Sequence, residues 1–133
     1  MNFASTRLIA ADINASVAFY EKATGTPATW STPDFAELRT PAGATLAIGS
    51  ERTVPLFAPD SAVPAANRSV ILEFLVEDVD ALWKELATWV TDVVAEPQTL
   101  PWGNRSLLVR DPDGTLVNFF TPVTPEAREK FGV

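Results

Sequence analysis

An α+β fold made of two βαβββ modules is predicted for this 133-residue chain, and two observations predict it. The first is internal repetition. The run Leu8-Ile9-Ala10-Ala11-Asp12-Ile13-Asn14-Ala15-Ser16 returns as Phe74-Leu75-Val76-Glu77-Asp78-Val79-Asp80-Ala81-Leu82, 66 residues later. Leu38-Arg39-Thr40-Pro41-Ala42-Gly43 returns as Val109-Arg110-Asp111-Pro112-Asp113-Gly114, at an offset of 71. One supersecondary unit used twice, with a small insertion in its second copy, accounts for both offsets. The second observation is the order of hydrophobic periods within each copy: a strand-like run, a helical stretch, then three short strands.

In the first copy, residues 5–11 read as a strand. Asp12 or Asn14 can cap a helix over about 14–24, with Ile13, Val17, Tyr20 and Ala23 on one face. Gly25 is placed to stop it. Residues 27–32, 35–40 and 44–49 form three short strands, separated by Pro33-Asp34 and Pro41-Ala42-Gly43 turns. The first module therefore spans 3–49. Residues 50–68, with Pro55, Pro59 and Pro64 and no sustained period, make a connection. It reads either as a plain linker or as a loop that closes over a ligand, with Leu56-Phe57 as an apolar knob.

The second module spans 69–122. It begins with a strand at 70–76, followed by a helix over about 79–91 whose inner face is Val79, Leu82, Leu86 and Val90. Trp83 and Trp89 flank that stripe as packing residues. Strands follow near 93–95, 104–110 and 115–121. Thr124-Pro125-Glu126 supplies a cap, a proline at the first helical position and an acidic first turn, so residues 123–133 end in a short helix to about Phe131.

Composition narrows the function. The net charge of −7 and the pI near 4.4 oppose binding to nucleic acid or to an anionic membrane surface. The second half is the more acidic: six basic against eleven acidic residues over 67–133, compared with four against six over 1–66. Cysteine is absent, which removes disulfides, thiolate nucleophiles and sulfur-ligated metals. Histidine is absent too, which removes the commonest metal ligand and the usual general base near neutral pH. With no leader-like start and no apolar run of membrane-spanning length, a cytoplasmic protein is expected.

Alternate residues of a strand share a face. Leu72, Phe74 and Val76 should pack on the second helix, leaving Ile71, Glu73 and Leu75 on the other side. In the last strand Leu116, Asn118 and Phe120 oppose Val117 and Phe119. In the first strand Ser5, Arg7 and Ile9 oppose Thr6, Leu8 and Ala10. If the two sheets curve into a half-open barrel, Arg7, Glu73 and Asn118 become polar groups in a mostly apolar pocket, which is the composition of a small-molecule site. Glu73 is the sharpest candidate. It could bind a ligand cation or act as a base; the alternative is a structural salt bridge to Arg7 or Arg105. Trp102, between Pro101 and Gly103, offers either a ring that a flat ligand can approach or a plug at a seam. Trp30 is either a facing wall or core. Arg105 and Arg110 read as surface or interface pairs, and Asp111-Pro112-Asp113-Gly114 as a turn without chemistry.

These residues resemble a known superfamily. Asp12-Ile13-Asn14-Ala15-Ser16-Val17-Ala18-Phe19-Tyr20, followed by Gly25, is similar to the opening of vicinal oxygen chelate proteins: glyoxalase I, extradiol dioxygenases and bleomycin-resistance proteins. Pro101-Trp102-Gly103-Asn104-Arg105, continuing through Arg110-Asp111-Pro112-Asp113-Gly114, resembles the closing hairpin of the group, in a form especially similar to bleomycin-binding members. The resemblance spans about residues 3–122. It implies the curved half-open barrel, and it implies a homodimer.

Enzymes of that superfamily hold a metal through four matched positions, which carry over to Ser5, Ala47, Ile71 and Asn118. The internal repeat supports this register, since Ser5 matches Ile71 and Ala47 matches Asn118. Ala47 and Ile71 offer no side-chain donor, and Ser5 and Asn118 are neutral and weak. No metal and no other cofactor is therefore expected. The resemblance suggests a metal-independent binding protein for a hydrophobic or cationic organic molecule. Its expected ligand-binding residues are Arg7, Trp30, Glu73, Trp102, Asn104, Asn118 and Phe120. The alternatives are a lyase, isomerase or dioxygenase-like enzyme, with Glu73 as acid–base and Asn118 or Arg7 polarising a carbonyl, or an interaction module without a ligand.

Overall fold

A computed structural model describes residues 1–133. The chain divides into two compact units, Met1–Asn67 and Arg68–Val133. Each is a four-stranded mixed sheet with a helix on one face. The first unit runs β1 (Thr6–Ala10), α1 (Ile13–Thr24), β2 (Ala28–Thr32), β3 (Phe35–Arg39) and β4 (Thr45–Ser50), with sheet order β1-β4-β3-β2. A 3-10 turn at Glu51–Thr53 and a one-turn helix α2 (Val54–Phe57) follow. The second unit runs β5 (Ile71–Leu75), α3 (Val79–Leu86), β6 (Val93–Thr99), β7 (Asn104–Arg110), β8 (Leu116–Pro122) and α4 (Pro125–Phe131), with order β5-β8-β7-β6. The two orders are the same, so the repeat in sequence is a repeat in topology. No helix is long and apolar enough to cross a membrane.

The repeated residues do the same work in both units. Asp12 accepts from the Ala15 N–H and caps α1, while Asp78 accepts from the Asp80 and Ala81 N–H groups and caps α3. Gly25 ends α1 in the left-handed conformation (φ 67°), with its N–H on the Glu21 carbonyl. The buried face of α1 holds the expected Ile13, Val17, Tyr20 and Ala23, together with Ser16 and Phe19. It covers the β3 and β4 side that carries Ala36, Leu38, Leu46 and Ile48, all buried. In the second unit Leu107, Val109, Val117 and Phe119 are fully buried on the α3 side, and Phe119 stacks on Phe74 at 5.4 Å. Each sheet thus has one face covered by α1 or α3 and an opposite, helix-free face without such a cover, onto which single side chains fold: Phe57 of α2 in the first unit and Phe131 of α4 in the second.

Three elements differ from expectation. α3 stops at Leu86, short of residue 91, because the chain tightens there: the Thr88 hydroxyl bonds the Glu85 carbonyl at 2.7 Å and the Trp89 N–H bonds the Leu86 carbonyl. β6 runs on to Thr99 through Pro97. It is the edge strand and its register is broken between Ala95 and Gln98, so a residue without an N–H is tolerated. The connection at 50–68 is not featureless. Ser50 caps the 3-10 turn, and Val54 at the start of α2 is buried.

The structure also locates the insertion. β2 and β3 are joined by the tight Pro33-Asp34 turn, whereas β6 and β7 are longer strands joined through Leu100-Pro101-Trp102-Gly103. The extra residues of the second copy therefore build the hairpin that carries Trp102.

Candidate functional site

In the first unit, strand register fixes the helix-free face. Arg7 opposes Ala47, which opposes Glu37; Ile9 opposes Gly49, which opposes Phe35. The Arg7 guanidinium lies 5.5 Å from the Phe35 ring centroid and 5.7 Å from that of Phe57. The apolar knob at 56–57 is thus split. Phe57 folds back over Arg7, while Leu56 stays exposed. Gly49 leaves room for the same segment, since a Cβ there would stand 3.2 Å from Thr53 Oγ1. Trp30 is not on this face. It opposes Ala36, which opposes Ile48, so it shares the helix-covered side, at the exposed edge strand β2. Sequence alternation alone could not choose its side, because the β2–β3 register was needed.

In the second unit the helix-free face holds Ile71, Glu73 and Leu75 of β5, and Leu116, Asn118, Phe120 and Pro122 of β8. β7 adds Arg110, Leu108, Ser106 and Asn104. Glu73 and Asn118 are direct neighbours, and Asn118 Nδ2 donates to Glu73 Oε1 at 3.2 Å. Glu73 is exposed on the edge strand, flanked on its own face by Ile71 and Leu75, which are 47% and 45% exposed. It is therefore not the deeply buried carboxylate that its apolar flanks suggested. Arg105 is not its partner either. Alternation sends Arg105 to the α3 side, where it grips Asp80 through two bonds of 2.7 and 2.8 Å. That hydrogen-bonded guanidinium holds the Asp80 carboxyl below its usual range and raises Arg105. Arg110 donates to the Gly114 carbonyl, closing the Asp111–Gly114 turn, in which Asp111 Oδ1 accepts from the Asp113 and Thr115 N–H groups.

The remaining candidates lie along the same unit. Asn118 is 7% exposed, and Phe120 is 4% exposed beneath the Phe131 ring of α4, at 5.0 Å. Trp102 stands out from its turn, 66% exposed. Asn104 is half-buried at the start of β7. Ser106, absent from the expected set, is 1% exposed and sits opposite Phe120. Its signal was the alternation of β7 itself, which makes Asn104, Ser106 and Leu108 one side. A separate open cavity of about 300 Å³ lies where β5 and β8 end, lined by Leu75, Val76, Glu77, Thr121, Pro122, Arg128 and Val133. None of the expected ligand residues lines that cavity.

The four matched metal positions do not suit a divalent ion. Ala47 is buried, Ile71 is an exposed aliphatic, Ser5 precedes β1, and Asn118 has its amide nitrogen committed to Glu73. Nowhere in the chain do three carboxylates converge. Oxygen-preferring ions take about six ligands. Glu73 and Asn118 together offer one carboxylate and one amide oxygen.

A duplicated βαβββ chain whose two four-stranded sheets share one strand order defines the fold class. The family model described as the Glyoxalase/Bleomycin resistance protein/Dioxygenase superfamily matches residues 2–119, and the chain belongs to that superfamily. Among solved structures it is similar to a glyoxalase/bleomycin resistance protein/dioxygenase from Nocardioides, at 21% identity and a TM-score of 0.75. That match covers 94% of this chain and 86% of the other. It is also similar to a family enzyme from Burkholderia phytofirmans PsJN, at 19% identity and a TM-score of 0.77, covering 90% and 98%. A protein of unknown function from Agrobacterium tumefaciens str. C58 matches at 25% identity and a TM-score of 0.75, covering 91% and 94%. These likenesses concern the fold. No curated protein matches the chain.

Proposed function

We propose that this chain is a metal-independent small-molecule binding protein of its superfamily, taking a hydrophobic, cationic organic ligand on the helix-free face of the second sheet. The observation that carries the reading is the placement of Glu73. Its carboxylate is exposed between Ile71 and Leu75 and is hydrogen-bonded only on one side, by Asn118. An anion on an apolar shelf attracts a ligand that is itself a cation on an apolar body. The acidic balance of residues 67–133 acts in the same direction. Trp102, on the inserted hairpin, is available as a second apolar surface.

The chemistry of the matched positions supports metal independence, since two of them carry no donor atom. We further propose a homodimer, by analogy with the binding members of the superfamily. The exposed Val70, Ile71 and Leu75 at the β5 edge supply apolar surface for such contact. The chain's acidity speaks against nucleic acid and membrane as partners, and a cytoplasmic location fits a cysteine-free chain. Native mass spectrometry of freshly purified protein tests the reading. Twice the chain mass with a co-purified organic species supports it. A monomer whose only added mass is a tightly held divalent metal contradicts it.

A further inference from the structure

Three buried oxygens of the second unit have no hydrogen-bond partner: Asn104 Oδ1, Ser106 Oγ and Asn118 Oδ1. All three belong to one face of one sheet. Asn118 opposes Leu108, Ser106 opposes Phe120 and Asn104 opposes Pro122, so they form a row that crosses from β8 to β7 and continues along it. Residues on a common face two apart along a strand, and diagonal neighbours on adjacent strands, have their Cα atoms about 7 Å apart, which lets adjacent side chains of the row reach one small group between them. The row starts beside the exposed Glu73 carboxylate and runs into the sheet. Buried polar groups are almost always paired, so three orphans in one line need a reason.

Their chemistry is biased. Asn118 Nδ2 is committed to Glu73, which leaves its buried Oδ1 as an unpaired acceptor. The Glu73 carboxylate is also an acceptor, and the Ser106 hydroxyl can accept. A cation without N–H groups satisfies the charge of Glu73 but leaves Asn118 Oδ1 and Ser106 Oγ orphaned. A protonated amine satisfies all three.

We propose that Asn118 and Ser106, with Asn104 beyond them, select ligands whose cationic group bears N–H donors, and that Ser106 is a specificity-determining residue. This rests on the binding function proposed above. The amine sits against Glu73 and donates to Asn118 Oδ1 and Ser106 Oγ. Because these oxygens are shielded, a neighbouring side chain must swing aside to admit it. Phe131, near the end of a seven-residue helix and in contact with Phe120 opposite Ser106, is placed to do so.

The test compares 1-naphthylmethylamine with its trimethylammonium analogue by titration calorimetry, on wild type and Ser106→Ala. A primary ammonium is the more strongly hydrated of the two, so a site without acceptors prefers the quaternary ion. The proposal predicts that wild type binds the primary amine about tenfold more tightly, as expected for one charge-assisted hydrogen bond. Ser106→Ala should erase most of that preference, by weakening the primary amine several-fold more than the quaternary ion. It should also leave the melting temperature of the free protein unchanged or raised, because an unpaired buried hydroxyl has been removed. Equal binding of the two ions by wild type, or preference for the quaternary one, overturns the proposal and leaves the binding function standing. Binding of neither ion counts against both. A fall of several degrees in the melting temperature of Ser106→Ala shows the hydroxyl already satisfied within the free protein, and also overturns the proposal.

Discussion

Replacing Gly103 by alanine should destabilise the chain through two separable effects. Gly103 has φ 88°, and a Cβ there would collide with Thr124 Oγ1 and stand 2.9 Å from Thr124 Cγ2. The conformational penalty of a positive φ for an L-residue is about 1–2 kcal/mol. Relieving the collision displaces Thr124, whose hydroxyl accepts from the Ala127 N–H and caps α4, and losing such a cap costs about 1 kcal/mol. The sum is about 2–3 kcal/mol. With an unfolding entropy of about 0.28 kcal/mol/K for a chain of this length, the melting temperature falls by about 7–11 °C. Urea melts of Gly103→Ala, Thr124→Ala and the double variant separate the terms. The double variant should be less damaged than the two singles added together, by about 1 kcal/mol, because the collision partner is gone. If Gly103→Ala costs under about 0.5 kcal/mol, or if the two costs are simply additive, then the turn carrying Trp102 is not locked to α4 as described.

Other perturbations follow from the same contacts. Leu86→Ala, at a fully buried position where α3 ends, should cost about 2–5 kcal/mol in a urea melt. Asp80 has its folded pKa lowered by Arg105, so its contribution is present above the unfolded value of 3.8 and is lost as pH falls through the folded one. Carboxyl NMR should place the Asp80 midpoint below 3.8 in wild type and move it upward in Arg105→Gln. Arg7→Met should change global stability by under about 1 kcal/mol, because cation–π contacts at exposed sites are weak, yet speed proteolysis at 54–60 as Phe57 loses its partner.

Much of the fold was legible in the sequence because it is written twice. Asp12 and Asp78 are both helix caps, and Gly43 and Gly114 both turn the chain at positive φ, so the offsets of 66 and 71 read directly as architecture. Periodicity also placed Glu73 and Asn118 on one face. It could not place Trp30, because β2 is short and polar, and its side depends on which β3 residue it meets. Partner choice was equally hidden. Arg105 is five residues from Arg110 and lies opposite the acidic start of α3, but only the fold brings it to Asp80. The helical turn at 54–57 was obscured by Pro55, which a helix accepts in its first turn. Alternation puts Ser106 on one face with Asn104 and Leu108, but a lone serine in an apolar strand does not stand out as a site residue until its hydroxyl is seen to lack a partner.

The most direct measurement is calorimetric titration of an aromatic amine into wild type and Glu73→Gln, each with and without a metal chelator. Metal-independent binding at the Glu73 carboxylate requires that chelator leave the wild-type affinity unchanged and that Glu73→Gln weaken it about tenfold, the loss of one charged partner. Binding that vanishes with chelator and returns with a divalent ion, or that is indifferent to the Glu73 charge, contradicts it.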